Sequence, residues 1–188
     1  MFKYFANEAT FVKGRNVATI SSVSKYYMVS FEVYPTSYQG VWANVIHMSV
    51  GKDNSNHGDR YPAVWFHPAS SGATSNKLRI SSSVGISSDY QYNSVKSFSL
   101  NTWLSVKIQQ TEEGGKAMYR IYLNGEMVHE VENTHPKAFD NVMLYVSDPW
   151  YAAQDGKIRN LIIDTQGSTG EKVLTSVSTG VKLTVIKC

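Results

Sequence analysis

Two short polar segments carry residue types that could bind sugars. Residues 53–60 read Asp-Asn-Ser-Asn-His-Gly-Asp-Arg, and residues 147–151 read Ser-Asp-Pro-Trp-Tyr. Aromatic faces can stack on the C–H surface of a sugar ring, while a few fixed polar groups bind its hydroxyls. Polar loops on a rigid scaffold commonly carry binding residues, so we expect a shallow rim site here. The predicted rim residues are Asp53, Asp59, Arg60, Asp148, Trp150 and Tyr151.

An adjacent aromatic pair, Trp65 and Phe66, adds a candidate platform. Neighbouring strand residues point to opposite faces, so one of the two must face outward. Trp42 and Trp103 also lie in strand-like segments, where large aromatic residues usually pack between sheets. With His67, the predicted ligand-binding residues are Asp59, Arg60, Trp65, His67, Asp148, Trp150 and Tyr151.

Several of these residues also have a structural interpretation. Asp148 precedes a proline and could begin a turn, and Trp150 could cap one end of the core. Asp59 and Arg60 could form a buried pair in which Arg60 reaches a carboxylate elsewhere in the chain. The sequence leaves both interpretations open.

The first polar segment also has the composition of a calcium-binding loop. Calcium prefers several oxygen ligands, and oxygen-bearing side chains crowd residues 53–59. The spacing is not that of an EF-hand, because the terminal bidentate glutamate is missing. The alternative is a hydrophilic hairpin loop in which Asp and Asn stabilise turns. Calcium is the one cofactor predicted, with Asp53, Asn54, Asn56 and Asp59 as candidate ligands.

The sequence carries no convincing catalytic pair of carboxylates. A retaining glycosidase needs two carboxylates about 5–5.5 Å apart. Glu112 and Glu113 are adjacent, so in a strand they would point to opposite faces. Glu130 and Glu132 share a face, but no apolar residues surround them as a catalytic acid would need. No nucleophile elbow occurs either, so the sequence predicts a protein that is not an enzyme.

The length and composition of the chain argue against several classes of protein. The chain has 188 residues, which predicts one domain with a sizeable core. Its formal net charge of +3 is small and scattered, so no nucleic-acid partner is predicted. No apolar stretch approaches the roughly 20 residues of a membrane-spanning helix. The single cysteine, Cys188, excludes a disulfide within this chain.

Alternation of apolar and polar residues predicts an all-β fold. Leu104, Val106 and Ile108 alternate with polar residues and mark a face toward the core. Residues 118–130 indicate a hairpin around Asn124-Gly125, a dipeptide that favours positive φ at both central turn positions. About ten strands with turns every ~8–12 residues predict a two-sheet antiparallel jelly-roll sandwich.

A change in composition divides the chain near its end. Residues 166–170 read Gln-Gly-Ser-Thr-Gly, which is typical of a flexible break. The sequence therefore predicts a jelly-roll sandwich domain over residues 1–165. Residues 166–188 are predicted to be a C-terminal extension that adds an edge strand or hairpin, or that serves as a linker.

Five segments follow one another in a recognisable order. They are residues 29–35 with 42–47, residues 58–66, Trp103 with Gln109-Gln110, residues 123–125, and residues 141–161 with their Asp-Pro-Trp and Ile-Arg-Asn-Leu motifs. This order resembles the concanavalin A-like lectin and glucanase superfamily, and most closely the laminin-G-like modules of marine-invertebrate extracellular proteins. The resemblance covers about residues 25–165 and implies a jelly-roll sandwich with a secreted, extracellular binding role. It identifies no ligand, because such sandwiches carry lectins, hydrolases and adhesion modules alike.

These features together predict a non-catalytic extracellular recognition module that binds glycans, with calcium as a candidate helper. The alternative is a structural or adhesion module that binds an extracellular protein, or itself as a homo-oligomer, through a sheet face. The 12 tyrosines fit this alternative, since Tyr is enriched at interfaces. A concave rim with convergent polar groups would indicate a lectin, and a flat aromatic patch would indicate an interaction module.

Overall fold

The computed structural model describes residues 2–5, 7–70, 72 and 76–165. In this part the chain forms β-strands joined by turns and loops. No helix in this part is long and apolar enough to cross a membrane. The predicted extension at residues 166–188, including Cys188, lies outside the described residues. The described strands are β1 (Phe2–Phe5), β2 (Ala9–Thr10), β3 (Asn16–Val23), β4 (Tyr27–Pro35), β5 (Ala43–Ser49), β6 (Ala63–Phe66), β7 (Leu78–Val84), β8 (Ser87–Asn93), β9 (Leu104–Glu113), β10 (Lys116–Leu123), β11 (Glu126–Glu132), β12 (Phe139–Val146), β13 (Ala152–Ala153) and β14 (Gly156–Asp164).

These strands form two sheets that face each other. Sheet A has the order β1-β14-β4-β9-β10-β11, with β2 beside β14. Sheet B has the order β3-β12-β5-β6-β7-β8, with β13 beside β5. The pairs are antiparallel except for β13 and β5, which run parallel. The predicted antiparallel two-sheet sandwich is therefore confirmed.

The core lies between the sheets and follows from the period-two alternation of each strand. On β9 the predicted residues Leu104, Val106 and Ile108 are at most 2% exposed. On the neighbouring β4, Phe31 pairs with Val106 across the sheet and is also buried. Burying one such side chain contributes about 1.5–3 kcal/mol relative to leaving it in water. The alternation thus fixes which face of each strand points inward and which remains available for a site.

The predicted hairpin joins β10 to β11. Asn124 and Gly125 both have positive φ, 51° and 81°, as a tight turn of this type requires. The side-chain carbonyl of Asn124 also accepts a hydrogen bond from the Ser105 backbone N–H at 3.0 Å, which ties the turn to β9.

The polar strands at the sheet edges were not predicted. β8 reads Ser-Ser-Asp-Tyr-Gln-Tyr-Asn and is only partly buried along its length, because it is the last strand of sheet B. β7 carries the polar residues Ser81, Ser82 and Ser83. Ser82 lies between the sheets, where its hydroxyl is 2.7 Å from the Tyr119 hydroxyl. Polar residues that find partners inside the sandwich leave no apolar pattern in the sequence.

Candidate functional site

A small pocket lies on the outer face of sheet B, away from the core. Val64 and Phe66 of β6 belong to the core between the sheets, so Trp65 between them points to the outer face. Loops cover Trp65 and leave it only 2% exposed. The pocket has a volume of about 210 Å³ and is lined by Trp42, Asn54, Arg60, Trp65, Arg79, Asp89 and Tyr151.

Arg60 connects the first polar loop to the sheet. Its Nη1 donates to Asp89 on β8 at 2.6 Å, and its Nη2 donates to Asp53 at 3.0 Å. Nη2 also lies within 3.2 Å of the Tyr151 hydroxyl, and the guanidinium sits 4.7 Å from the centre of the Trp65 ring. Burial lowers the pKa of Arg60, but the two carboxylates outweigh this effect and leave the pKa above its ordinary value. Arg60 is therefore fully engaged within the protein.

Asp89 is the other centre of this network. Its carboxylate accepts hydrogen bonds from Arg60 and Gln91, each at 2.6 Å, and from the Ser81 hydroxyl. Burial raises the pKa of Asp89, but these hydrogen bonds outweigh burial and leave the pKa below its ordinary value. The carboxylate is thus held in its charged form at the pocket wall.

Arg79 of β7 has a different environment. Its Nη2 lies 3.6 Å from the nearest Asp89 oxygen, which is beyond hydrogen-bond distance, and its guanidinium lies 5.3 Å from the centre of the Trp42 ring. Burial lowers the pKa of Arg79, and Asp89 does not fully compensate, so the pKa remains below its ordinary value. This cation is only partly neutralised by the protein.

A buried network holds the two polar loops together beneath the pocket. His47 of β5 is fully buried; its Nδ1 lies 2.7 Å from Asp148 and its Nε2 donates to the backbone carbonyl of Asp59 at 2.6 Å. The other oxygen of Asp148 accepts the backbone N–H groups of Trp150 and Tyr151, at 3.0 and 2.8 Å. One imidazole therefore fixes the position of one loop relative to the other.

Asp59 and Asp148 stabilise loops and do not line the pocket. Asp59 is 1% exposed, and its carboxylate accepts backbone N–H groups of Lys52, Ser55 and Asn56 at 3.2, 2.8 and 2.7 Å. Asp148 is 0% exposed. For Asp148 this geometry fits the structural interpretation of a turn after residue 148. Asp59 bonds to backbone N–H groups and not to Arg60, while Arg60 does reach carboxylates elsewhere in the chain. Ligand binding by Asp59 and Asp148 stays a prediction.

The remaining predicted residues fall into two groups. Arg60, Trp65 and Tyr151 meet at the pocket, as expected for one rim built from both segments. Trp150 instead stacks on His47 at 5.1 Å, and His67 stacks on Trp42 at 4.3 Å. These two rings support the pocket from the side, and their role in binding stays a prediction.

The large tryptophans do not pack between the sheets, which corrects that expectation. Trp42 precedes β5 and stacks against His67 and Arg79 on the outer face of sheet B. Trp103 precedes β9 and lies 3.9 Å from the Arg159 guanidinium on the outer face of sheet A. Both are partly exposed, so they provide aromatic surface outside the core.

The candidate calcium ligands are engaged with other groups. Asp53 pairs with Arg60 and accepts the Tyr151 hydroxyl at 3.0 Å, while Asn54 lines the pocket. Asn56 contributes its backbone N–H to Asp59. Among the described residues, no three His, Cys, Asp or Glu side chains come together in a group that could hold a metal ion. Calcium binding by Asp53, Asn54, Asn56 and Asp59 stays a prediction.

The acidic residues considered for catalysis lie at the surface, and Glu113, Glu130 and Glu132 are paired with cations. Glu130 bonds to Arg120, and Glu132 accepts from Lys116 at 2.8 Å. Glu112 accepts the backbone N–H of Gly115 at 2.9 Å in the turn after β9. This geometry gives neither pair a groove for a substrate, and the expectation of a non-catalytic protein stays a prediction.

Comparisons with known proteins bear on the fold. No protein-family model matches the sequence, and no curated protein matches it either. A heptameric SAP-like pentraxin from Limulus polyphemus is similar in structure, with a TM-score of 0.56 and 14% identity over 84% of this chain and 76% of its own. A candidate carbohydrate-binding protein from Bacteroides ovatus has a TM-score of 0.50 and 14% identity, over 86% of this chain and 42% of its own. At these identities the likeness shows the fold: the chain is a jelly-roll sandwich of the concanavalin A-like type, as the sequence predicts.

Proposed function

We propose that the protein is a glycan-recognition module whose binding site is the pocket on the outer face of sheet B. The observation that carries this proposal is the composition of the pocket, where Trp42 and Tyr151 provide aromatic surface beside the polar groups of Asn54, Arg79 and Asp89. Aromatic walls with a few convergent polar groups are the usual make-up of a small-ligand site. A volume of about 210 Å³ favours one sugar residue as the part of the glycan that is held.

Two further features support this proposal. Trp65 lines the pocket, and its indole N–H is buried without a hydrogen-bond acceptor among the described residues. An oxygen atom of a ligand could supply that acceptor, and an unsatisfied buried donor costs about 1–3 kcal/mol. The buried imidazole of His47 also holds both loops in place before binding, and such preorganisation reduces the entropy lost on binding.

The test is a glycan array probed with the wild-type chain and with two matched variants. Trp42→Ala removes aromatic surface at the pocket, and Trp103→Ala removes a similar ring that stacks on an arginine on the opposite sheet. We expect Trp42→Ala to weaken glycan binding about 5- to 150-fold, if loss of the ring costs about 1–3 kcal/mol as it does for stacked nucleic-acid bases. Trp103→Ala should bind as the wild type does. Equal loss in both variants would place the site elsewhere.

The calcium prediction is tested in the same experiment by repeating the array with calcium and with a chelator. Binding that disappears with the chelator would support a metal held by the loop at residues 53–59. Binding under both conditions would retain the glycan function without the metal. The proposed role places the protein in contact with extracellular glycans, and detection of the chain outside intact cells would support that location.

The outer face of sheet A favours a second candidate function, adhesion to a protein or to a second copy. Tyr34 and Trp103 stack there at 5.1 Å, and Lys107 lies 3.9 Å from the centre of the Tyr122 ring. A depression of about 340 Å³ on this face is lined by Lys107 and Tyr122 together with Ser30 and Ser105. A chain that binds no glycan with or without calcium, but that forms oligomers in sedimentation experiments, would support this function instead.

A further inference from the structure

The two arginines of the pocket on sheet B differ in how many of their hydrogen-bond donors are used. All three nitrogens of Arg60 donate within the protein, including Nε to the Asp53 backbone carbonyl at 3.2 Å. The side chain of Arg79 donates no hydrogen bond to the described residues, and its nearest carboxylate oxygen, on Asp89, is 3.6 Å away. Its side chain is nevertheless only 21% exposed. Arg79 therefore offers up to five donors at the pocket while much of its solvation is already lost.

The surroundings of Arg79 carry an excess of positive charge. Arg60 is shared between two carboxylates, those of Asp53 and Asp89. Lys77, just before β7, forms no ion pair with the described residues. Burial lowers the pKa of His67, and the positive charges of Arg79 and Lys77 lower it further. Arg60, Lys77 and Arg79 thus stand against Asp53 and Asp89 on the outer face, whereas the carboxylates beneath the pocket, Asp59 and Asp148, are engaged by backbone N–H groups and by His47.

The geometry around Arg79 favours a particular kind of anion. A planar guanidinium presents parallel N–H groups that match both oxygens of a carboxylate, and such charge-assisted pairs are about twice as strong as neutral hydrogen bonds. The Trp42 ring next to the guanidinium provides aromatic surface for the carbon face of a ring attached to that carboxylate. Arg79 and Trp42 together therefore match a sugar ring that carries an acid group.

We infer that the pocket on sheet B selects acidic sugars, with the sugar carboxylate accepting hydrogen bonds from Arg79 and the ring lying against Trp42. This inference rests on the proposed glycan-binding function and names its ligand class. Asp89 accepts hydrogen bonds from Arg60, Ser81 and Gln91 but none from Arg79, its ion-pair partner at 3.6 Å, so the N–H groups of Arg79 stay available to a ligand.

The experiment compares each acidic sugar with its own methyl ester, which keeps the ring and removes the charge. The probes are methyl glycosides of glucuronic, galacturonic and mannuronic acid and of N-acetylneuraminic acid, titrated by calorimetry with calcium and again with chelator. The variants are Arg79→Gln, which removes the charge, and Arg79→Lys, which keeps the charge but loses the parallel N–H donors of the planar guanidinium. The matched control is Arg159→Gln, because Arg159 also lies on a tryptophan but on the opposite sheet.

We expect at least one acid to bind about tenfold or more tightly than its ester, in chelator as well as in calcium. Arg79→Gln should abolish this preference, Arg79→Lys should retain part of it, and Arg159→Gln should leave it unchanged. Added salt should weaken the acid more than the ester. If Arg79→Gln does not fold, the ratio of the wild-type affinities for acid and ester, and the salt dependence of that ratio, still test the inference.

Three results would overturn the inference. Equal affinity for acids and esters would refute acid selection while leaving the glycan function intact. A preference that vanishes in chelator would show that a metal ion, and not Arg79, holds the carboxylate. Absence of binding to these probes and to every sugar of the array would overturn the glycan function together with the inference.

Discussion

His47 joins two loops that are distant in sequence, and one of its hydrogen bonds shows that Nε2 carries a hydrogen. The backbone carbonyl of Asp59 can only accept, so Nε2 of His47 carries a hydrogen and donates at 2.6 Å. Nδ1 faces Asp148, whose second oxygen is already occupied by two backbone N–H groups. Removing the carboxylate would leave those two buried backbone N–H groups without an acceptor and Nδ1 of His47 without its partner.

We therefore predict that Asp148→Ala destabilises the protein strongly. Breaking a buried pair by removing one partner costs about 3–5 kcal/mol, because the remaining group stays buried and unpaired. Urea unfolding followed by tryptophan fluorescence measures this change. The control is Glu8→Ala, which removes an exposed partner of Lys157 and should leave the unfolding midpoint unchanged. A similar midpoint for both variants would contradict the role assigned to Asp148.

At the scale of strands, the edges of the two sheets are joined by one histidine. His129 of β11, the last strand of sheet A, lies 3.0 Å from the hydroxyl of Tyr90 on β8, the last strand of sheet B. It also stacks on Tyr92 at 5.3 Å. Burial lowers the pKa of His129, so the folded protein favours the neutral ring.

This contact predicts a pH dependence of stability. The unfolded-state pKa of histidine is about 6.5, and the folded-state pKa of His129 lies below it. The unfolded chain binds the proton more readily, so the contribution of His129 is complete above about pH 6.5 and is lost as the pH falls through the folded-state value. His129→Gln should therefore flatten the fall in thermal midpoint between pH 7.5 and 5, as calorimetry can measure. His135→Gln, at an exposed loop position, should leave the slope unchanged, and equal slopes for wild type and His129→Gln would refute the prediction.

The strands show which parts of the site could be predicted from the sequence and which could not. Alternation required that either Trp65 or Phe66 face outward, but only the pairing of β6 with β5 and β7 determines that it is Trp65. Arg79 and Asp89 carry no local signal of a site, because each is a single polar residue on its strand. They reach the pocket through cross-strand register, and spacing within one strand cannot reveal it. The sequence predicts both polar loops and favours a buried, hydrogen-bonded His47, but it does not show that His47 joins the two loops.

At the scale of the whole molecule, the first and the last described strands, β1 and β14, lie side by side in sheet A. β14 lies between β1 and β4 in sheet A, so residues from both ends of the described chain form adjacent strands. Ile158, Leu161 and Ile163 of β14 are fully buried in the common core. The sandwich therefore requires the chain up to β14, and the domain limit at residue 165 stays a prediction.

We predict that a chain ending at residue 165 unfolds at the same temperature as the full chain. The described strands within residues 2–164 supply both sheets and the core, so the remaining residues should add little stability. A chain ending at residue 154, which lacks β14, should not fold, because β4 loses its neighbour in sheet A. Circular dichroism melting of the three chains tests this prediction. A clear drop in the midpoint for the chain ending at 165 would show that the extension belongs to the domain.

The outward position of Trp65, between inward Val64 and Phe66, has a consequence for protein engineering. Residues that shape the pocket and residues that fill the core are neighbours in sequence but project from opposite faces of one sheet. Trp42, Asn54 and Arg79 can therefore be randomised in a library with little change to the folded scaffold. Selection from such a library would yield new binding specificities on the same backbone.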